Sequence, residues 1–270
     1  MEKKVVRIFY LGIAQGEFFT GGKRQKREGL PVRILDDRPE FPGGYLEIAY
    51  ALLPEYAGKC FFTGRGRKWK TKIKRRILLR TLKNAEQMSE HRECVIHPDL
   101  KQVFVTEQEA EEDAEGSCSM EELPRELMAA HLHSKVVFDS VCVFFSEDGG
   151  TYEAREAILL LSPYLRKMRQ IMVIGEDGVT MELFSDYLYY EYGLVPDRCS
   201  RMPLKRGGAD KKEILRKCNV SRKAVCLDLS GRAIPEGEYM GILEETWCIN
   251  PRETLKFLDT TIKNGYNTES

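Results

Sequence analysis

The sequence predicts an α/β protein in two parts: a C-terminal Rossmann-like three-layer sandwich on a small parallel sheet, and a smaller N-terminal α/β or α+β domain. Three observations carry this. Between residues 134 and 270, apolar runs of strand length alternate with segments of helical period. Basic residues are concentrated ahead of residue 101, where 21 Lys and Arg face 12 Asp and Glu. An acidic tract, residues 107–122, holds eight acids and no base, and its self-repulsion favours a solvated helical linker. The expected domains are therefore 1–106 and 134–270, with 107–133 as the linker. No internal repeat is evident.

In the first part, residues 5–13 (Val-Val-Arg-Ile-Phe-Tyr-Leu-Gly-Ile) are β-branched and aromatic. Residues 31–35 repeat that character after a basic, glycine-bearing loop, so two strands are expected. Leu46, Ala49, Tyr50 and Leu53 are spaced for a short helix over residues 44–57, weakened in its last turn by Pro54. A longer helix is expected from Lys68, because Ile73, Ile77, Leu78, Leu82, Ala85 and Met88 share half of a helical wheel. Lys72, Arg76, Arg80 and Lys83 then line another side, with Phe61, Phe62 and Trp69 just upstream.

In the second part, residues 135–145 form a continuous apolar run that suits a strand covered on both faces. Residues 152–161 read as a helix that Ser162-Pro163 ends or redirects, and residues 170–175 as a second buried strand. A helix over 179–192 carries Met181, Phe184, Leu188 and Tyr192 on one side and stops at Gly193. A short helix over 210–218 and a third strand over 223–229 follow. The closing helix has Asn250 as its cap, Pro251 in its first position, and Leu255, Leu258 and Ile262 as its apolar stripe; Gly265 is the expected stop.

The 42 Lys and Arg balance 42 Asp and Glu. No apolar run approaches the length of a membrane span, and the start lacks a signal-peptide pattern, so a cytoplasmic protein without membrane contact is expected. The eight cysteines are scattered and read as reduced, largely buried thiols. Cys94 and His97 could meet on one helical turn, but Pro98 follows at once, and no metal site is expected.

Parallel sheets bind ligands beyond the carboxyl ends of their strands, which directs attention to three loops. The candidate ligand-binding residues are Ser146, Glu147, Asp148, Gly149 and Gly150 after the first strand, Gly175, Glu176 and Asp177 after the second, and Asp228 at the end of the third. The glycines would admit backbone N–H groups to a ligand, but no dinucleotide or phosphate-loop fingerprint is present, and the acids would repel a diphosphate. The same acids also suit the simpler role of complementing helix N-termini.

No catalytic residue is nominated. The four histidines stand beside no strand-end nucleophile, and Asp36-Asp37 reads as readily as a turn as a general base. Whether the chain is an enzyme stays open, and no cofactor is expected. The leading expectation is a non-catalytic protein that binds a protein partner or a small ligand. One alternative is a hydrolase or phosphotransferase holding Mg²⁺ on the strand-end carboxylates. Another is a nucleic-acid binder working through Lys72, Arg76, Arg80 and Lys83, a stripe that solvent or the acidic tract could equally answer. Tyr187, Tyr189, Tyr190 and Tyr192 cannot all be buried on one helical stripe, which suggests an interface, with a homo-oligomer as one outcome.

Overall fold

The computed structural model describes residues 3–14, 30–54, 76–84, 93–101, 123–135, 138–145, 150–175, 178–200, 224–229 and 247–267. The chain mixes helices with parallel and mixed sheets, an α/β protein. It divides into two compact units, residues 1–118 with 255–270, and residues 119–254. The charge-based division had instead placed 255–270 with residues 134 onward. Most of the expected acidic linker lies outside the described residues.

The first unit is built on β1 (Lys4–Ala14), β2 (Arg33–Ile34), β3 (Glu40–Phe41), β4 (Gly44–Pro54) and β5 (Glu93–Ile96), in the order β2-β4-β1-β5 with β3 also paired to β4. β1 runs parallel to β4, from Lys4 opposite Gly44 to Ala14 opposite Pro54, and parallel to β5. β2 and β3 are antiparallel to β4. Ile8, Phe9, Tyr10 and Leu11 are all buried whichever way they point, as expected of a central strand covered on both faces.

The expected helix over 44–57 is a strand instead. Its residues fit both periods, since Leu46, Ile48 and Tyr50 alternate with Ala49, Ala51 and Leu53, and all six are buried. Pairing with β1 along all 11 residues of β4 decides between them, because it satisfies the backbone and buries both faces.

Residues 76–84 are helical (α1), as the wheel predicts; Leu78 and Thr81 point inward, while Arg76, Arg80 and Lys83 are exposed. Thr81 Oγ1 accepts a hydrogen bond from the Leu30 N–H at 2.8 Å and donates to the Ile77 carbonyl at 2.9 Å. Leu30, Phe9, Leu11, Leu53, Leu78 and Leu100 share one apolar cluster. After β5 the chain makes a single turn, α2 (Pro98–Lys101).

The second unit carries β6 (Ser140–Phe144), β7 (Gln170–Gly175), β8 (Asp197–Ser200), β9 (Ala224–Asp228) and β10 (Trp247–Ile249) in the order β10-β9-β6-β7-β8. Every neighbouring pair is parallel. The three apolar runs thus lie side by side in one direction, as predicted. The edge strands β8 and β10 were not anticipated: four and three residues are too few to display a period.

Among the described residues this unit carries α3 (Arg125–His133), α4 (Gly150–Leu161) and α5 (Val179–Tyr192). Met128 and Leu132 of α3, Ala157 and Leu161 of α4, and Phe184 and Leu188 of α5 join Val141, Val143, Val173 and Leu227 of the strands in one core. α3 falls in the last part of the predicted linker but buries five residues, so it belongs to a packed unit. α5 ends where predicted, at Gly193, whose φ of 66° a residue with a Cβ would adopt at a cost. The expected helix over 210–218 lies outside the described residues.

The closing helix, α6 (Pro251–Asn267), is capped as expected, with Asn250 Oδ1 accepting from the Glu253 N–H at 2.8 Å. Gly265 does not end it. A Cβ there would lie 2.7 Å from Leu35 Cδ1, so this glycine permits a close approach to the segment after β2.

Candidate functional site

The carboxyl ends of β6, β7 and β9 are level with one another. Phe144 is the register partner of both Ile174 and Asp228. The ladder continues one step further, with Phe145 N–H donating to the Ile174 carbonyl at 3.1 Å and Leu229 N–H to the Phe144 carbonyl at 2.9 Å. Strand order reverses here. From β6 the chain moves outward through β7 to β8, then returns to the other side of β6 for β9 and outward again to β10.

Three of the nine predicted ligand-binding residues are described, and all three sit at this edge. Gly150 opens α4 with a φ of 53°, a backbone state that favours glycine. Gly175 is the last residue of β7, and Asp228 the last of β9, where its side chain is almost fully buried at 1% exposure. Ser146, Glu147, Asp148, Gly149, Glu176 and Asp177 lie outside the described residues.

By strand alternation, Asp228 shares a face of the sheet with Cys226, and Cys226 is level with Cys142 on β6. These two free thiols pack with Met172 and Ile174. The hydrogen bond between the thiols, together with burial and the charge of Asp228, holds the Cys226 thiol well above its ordinary range, so it stays protonated.

Sequence reasoning passed over two buried acids in α4. Glu153, in the first turn, is 8% exposed, and Glu156, one turn on, pairs with Arg125 of α3 at 2.9 Å. Their spacing of three, on the same stripe as Ala157 and Leu160, was the available signal.

The remaining candidates are spread elsewhere. Asp36 and Asp37 occupy an exposed bend. Cys94 lies within β5 and His97 just beyond it, not on a helical turn. Of the basic stripe, Arg76, Arg80 and Lys83 are exposed on α1, and Lys72 lies outside the described residues. Tyr189 and Tyr190 are solvent-facing, at 58% and 79% exposure, whereas Tyr187 and Tyr192 are half-buried with ring centroids 6.0 Å apart.

Among the described residues, no group of three or more His, Cys, Asp or Glu side chains is placed to share a metal ion. Among them also, no helix is long and apolar enough to cross a membrane. Comparison with protein-family models, curated proteins and solved structures finds no match.

Proposed function

We propose that the chain is a cytoplasmic, non-catalytic binding protein whose second unit is a Rossmann-like three-layer sandwich. It takes a small polar ligand at the carboxyl edge between β6 and β9. One observation carries the reading: β6 is flanked by β7 and β9, and the next strand after β6 lies on one side of the β6–β9 pair while the next strand after β9 lies on the other. Loops that depart in opposite directions from adjacent strand ends open a crevice, and open parallel sheets use that crevice for ligands. Gly150 starts the helix on one side of it, and Asp228 closes the strand on the other.

Charge narrows the ligand class. Asp228, with Glu147 and Asp148 in the segment after β6, and Glu176 and Asp177 in the segment after β7, disfavours an anion and favours an amine or a polyhydroxylated group.

Thermal unfolding of the full chain with spermidine, adenosine or ADP tests this. A ligand at a hundred times its Kd adds about 2.7 kcal/mol, which for a unit of this size is a rise in Tm of roughly 5–11 °C. Spermidine or adenosine is expected to give that rise, ADP without divalent metal is not, and Asp228→Asn is expected to abolish it. Silence from both favoured probes, or an undiminished rise in Asp228→Asn, refutes the assignment.

A further inference from the structure

Three sulfur-bearing side chains stand abreast on the central strands of the second sheet. Cys142 of β6 is the register partner of Met172 of β7 on one side and of Cys226 of β9 on the other. Register partners on parallel strands point to the same face, and all three residues are buried in one cluster. The two cysteines are free, and their thiols are hydrogen-bonded to each other. The next row on this face, toward the carboxyl edge, is Ile174, Phe144 and Asp228. The sulfur row therefore lies two residues, about 6.6 Å, in from that edge.

The opposite face of the same three strands is aliphatic, built of Val141, Val143, Val173, Val225 and Leu227. A buried parallel sheet is stable with such residues on both faces, so packing alone does not ask for three sulfurs in a row. Paired thiols can either join as a disulfide or share a soft cation, and spacing decides between the two. Neighbouring strands are about 4.7–4.9 Å apart, whereas a disulfide needs its Cβ atoms about 3.5–4.5 Å apart, so a direct bond would pinch β6 against β9. A cation bonded to each sulfur at about 2.3 Å, with its bonds roughly 120° apart, spans sulfurs about 4 Å from one another, which is the reach of hydrogen-bonded thiols. Among the described residues no third His, Cys, Asp or Glu joins the pair, so the four-ligand set that zinc prefers is not assembled. Thiolate and thioether donors together select Cu(I).

We infer that Cys142, Cys226 and Met172 form a three-coordinate site for Cu(I) inside the second sheet. On binding, both S–H bonds break, two Cu–S bonds form and two protons pass to solvent, while the Met172 thioether donates a lone pair as third ligand. Copper stays in the +1 state, so the step needs no oxidant or reductant. The complex carries one negative charge, which Asp228, one row out on the same face, opposes. Sequence spacing conceals the site because each of its ligands comes from a different strand.

The experiment titrates the full chain, reduced and under argon, with Cu(I) in competition with the chelator bathocuproine disulfonate, and reads the bound ion by X-ray absorption. One Cu(I) per chain is expected to resist the chelator, with three sulfur neighbours at roughly 2.3 Å. Cys142→Ala and Cys226→Ala should each weaken binding by more than the roughly hundredfold that loss of an outer-shell partner costs. Cys94→Ala, at an exposed thiol of the first sheet, should leave binding unchanged. Met172→Leu conserves core volume, and it should reduce the sulfur neighbours to two and weaken binding about tenfold. Asp228→Asn should tighten Cu(I) binding while abolishing the response to spermidine or adenosine, so failure of this site and failure of the ligand crevice are separate observations.

The inference is overturned if the chelator strips all Cu(I) from the unaltered chain, or if the bound ion has mainly nitrogen or oxygen neighbours. It is equally overturned if the alanine variants at Cys142 and Cys226, with unchanged circular dichroism, hold the ion as tightly as before. Should those variants fail to fold, Met172→Leu decides, and three sulfur neighbours remaining in it refute the site. Ready joining of Cys142 to Cys226 by oxidised glutathione in the folded chain would assign the pair to disulfide chemistry instead.

Discussion

His131 shows how burial sets the chemistry of a single side chain. It is 4% exposed in α3, with Nδ1 3.1 Å from the hydroxyl of fully buried Thr254. Burial first, and then the charge of Lys135, push its pKa down from 6.5 to about 3. Above pH 6.5 the imidazole is neutral in both the folded and unfolded chain and costs nothing. Below that, the unfolded chain takes up a proton that the folded one refuses, so stability falls as pH falls, by up to about 1.4 kcal/mol per pH unit until the folded pKa is reached. Urea unfolding at a series of pH values should show a shallower acid limb in His131→Gln, and the His131 proton resonances should not titrate between pH 5 and 8. A ring titrating near 6.5 would contradict the buried geometry. Sequence gave no means of telling this histidine from His133 two positions on, because the distinction is which face of α3 meets the core.

At the scale of elements, helix ends were the most legible features. Asn250 before Pro251 specified the start of α6, and Gly193 the end of α5, because each acts through its own backbone or the next turn. Asn250→Ala should destabilise the protein by about 1 kcal/mol, within the range for lost caps. Amide exchange should show the loss first as faster exchange at Glu253; unchanged protection there would mean the cap bond contributes nothing. Legibility failed where two periods fit one segment. The run from Gly44 to Pro54 could be wound or extended on local grounds, and only a partner strand removed the ambiguity. It failed again at Gly265, whose role is set by Leu35, more than two hundred positions away in the chain.

For the whole molecule, the division of the chain falls inside α6, between Thr254 and Leu255. The later part of this helix serves the first unit, where Asp259 Oδ1 accepts a hydrogen bond of 2.6 Å from the Tyr10 hydroxyl. Burial raises the Asp259 pKa, and Tyr10 and His97 oppose that rise. A chain ending at Thr254 should therefore lose amide protection in β1 and β4 while β6, β7 and β9 keep theirs. Equal retention in both sheets would show that the first unit folds without its last helix.

Of the candidate crevice, the sequence supplied the strand ends and the acids beside them. It did not supply the strand order that makes β6 and β9 neighbours, since that depends on pairing between residues some eighty positions apart. By itself the sequence determined the α/β class, most helix boundaries and the apolar runs of the second sheet, because propensity, capping and periodicity act within a turn or two of the chain. Tertiary structure alone decided that residues 44–54 are a strand, that two short strands edge the second sheet, that α6 is shared, and that Ala14 stands opposite Pro54. Each of these rests on hydrogen bonds and burial between segments distant in the chain, which no local pattern encodes.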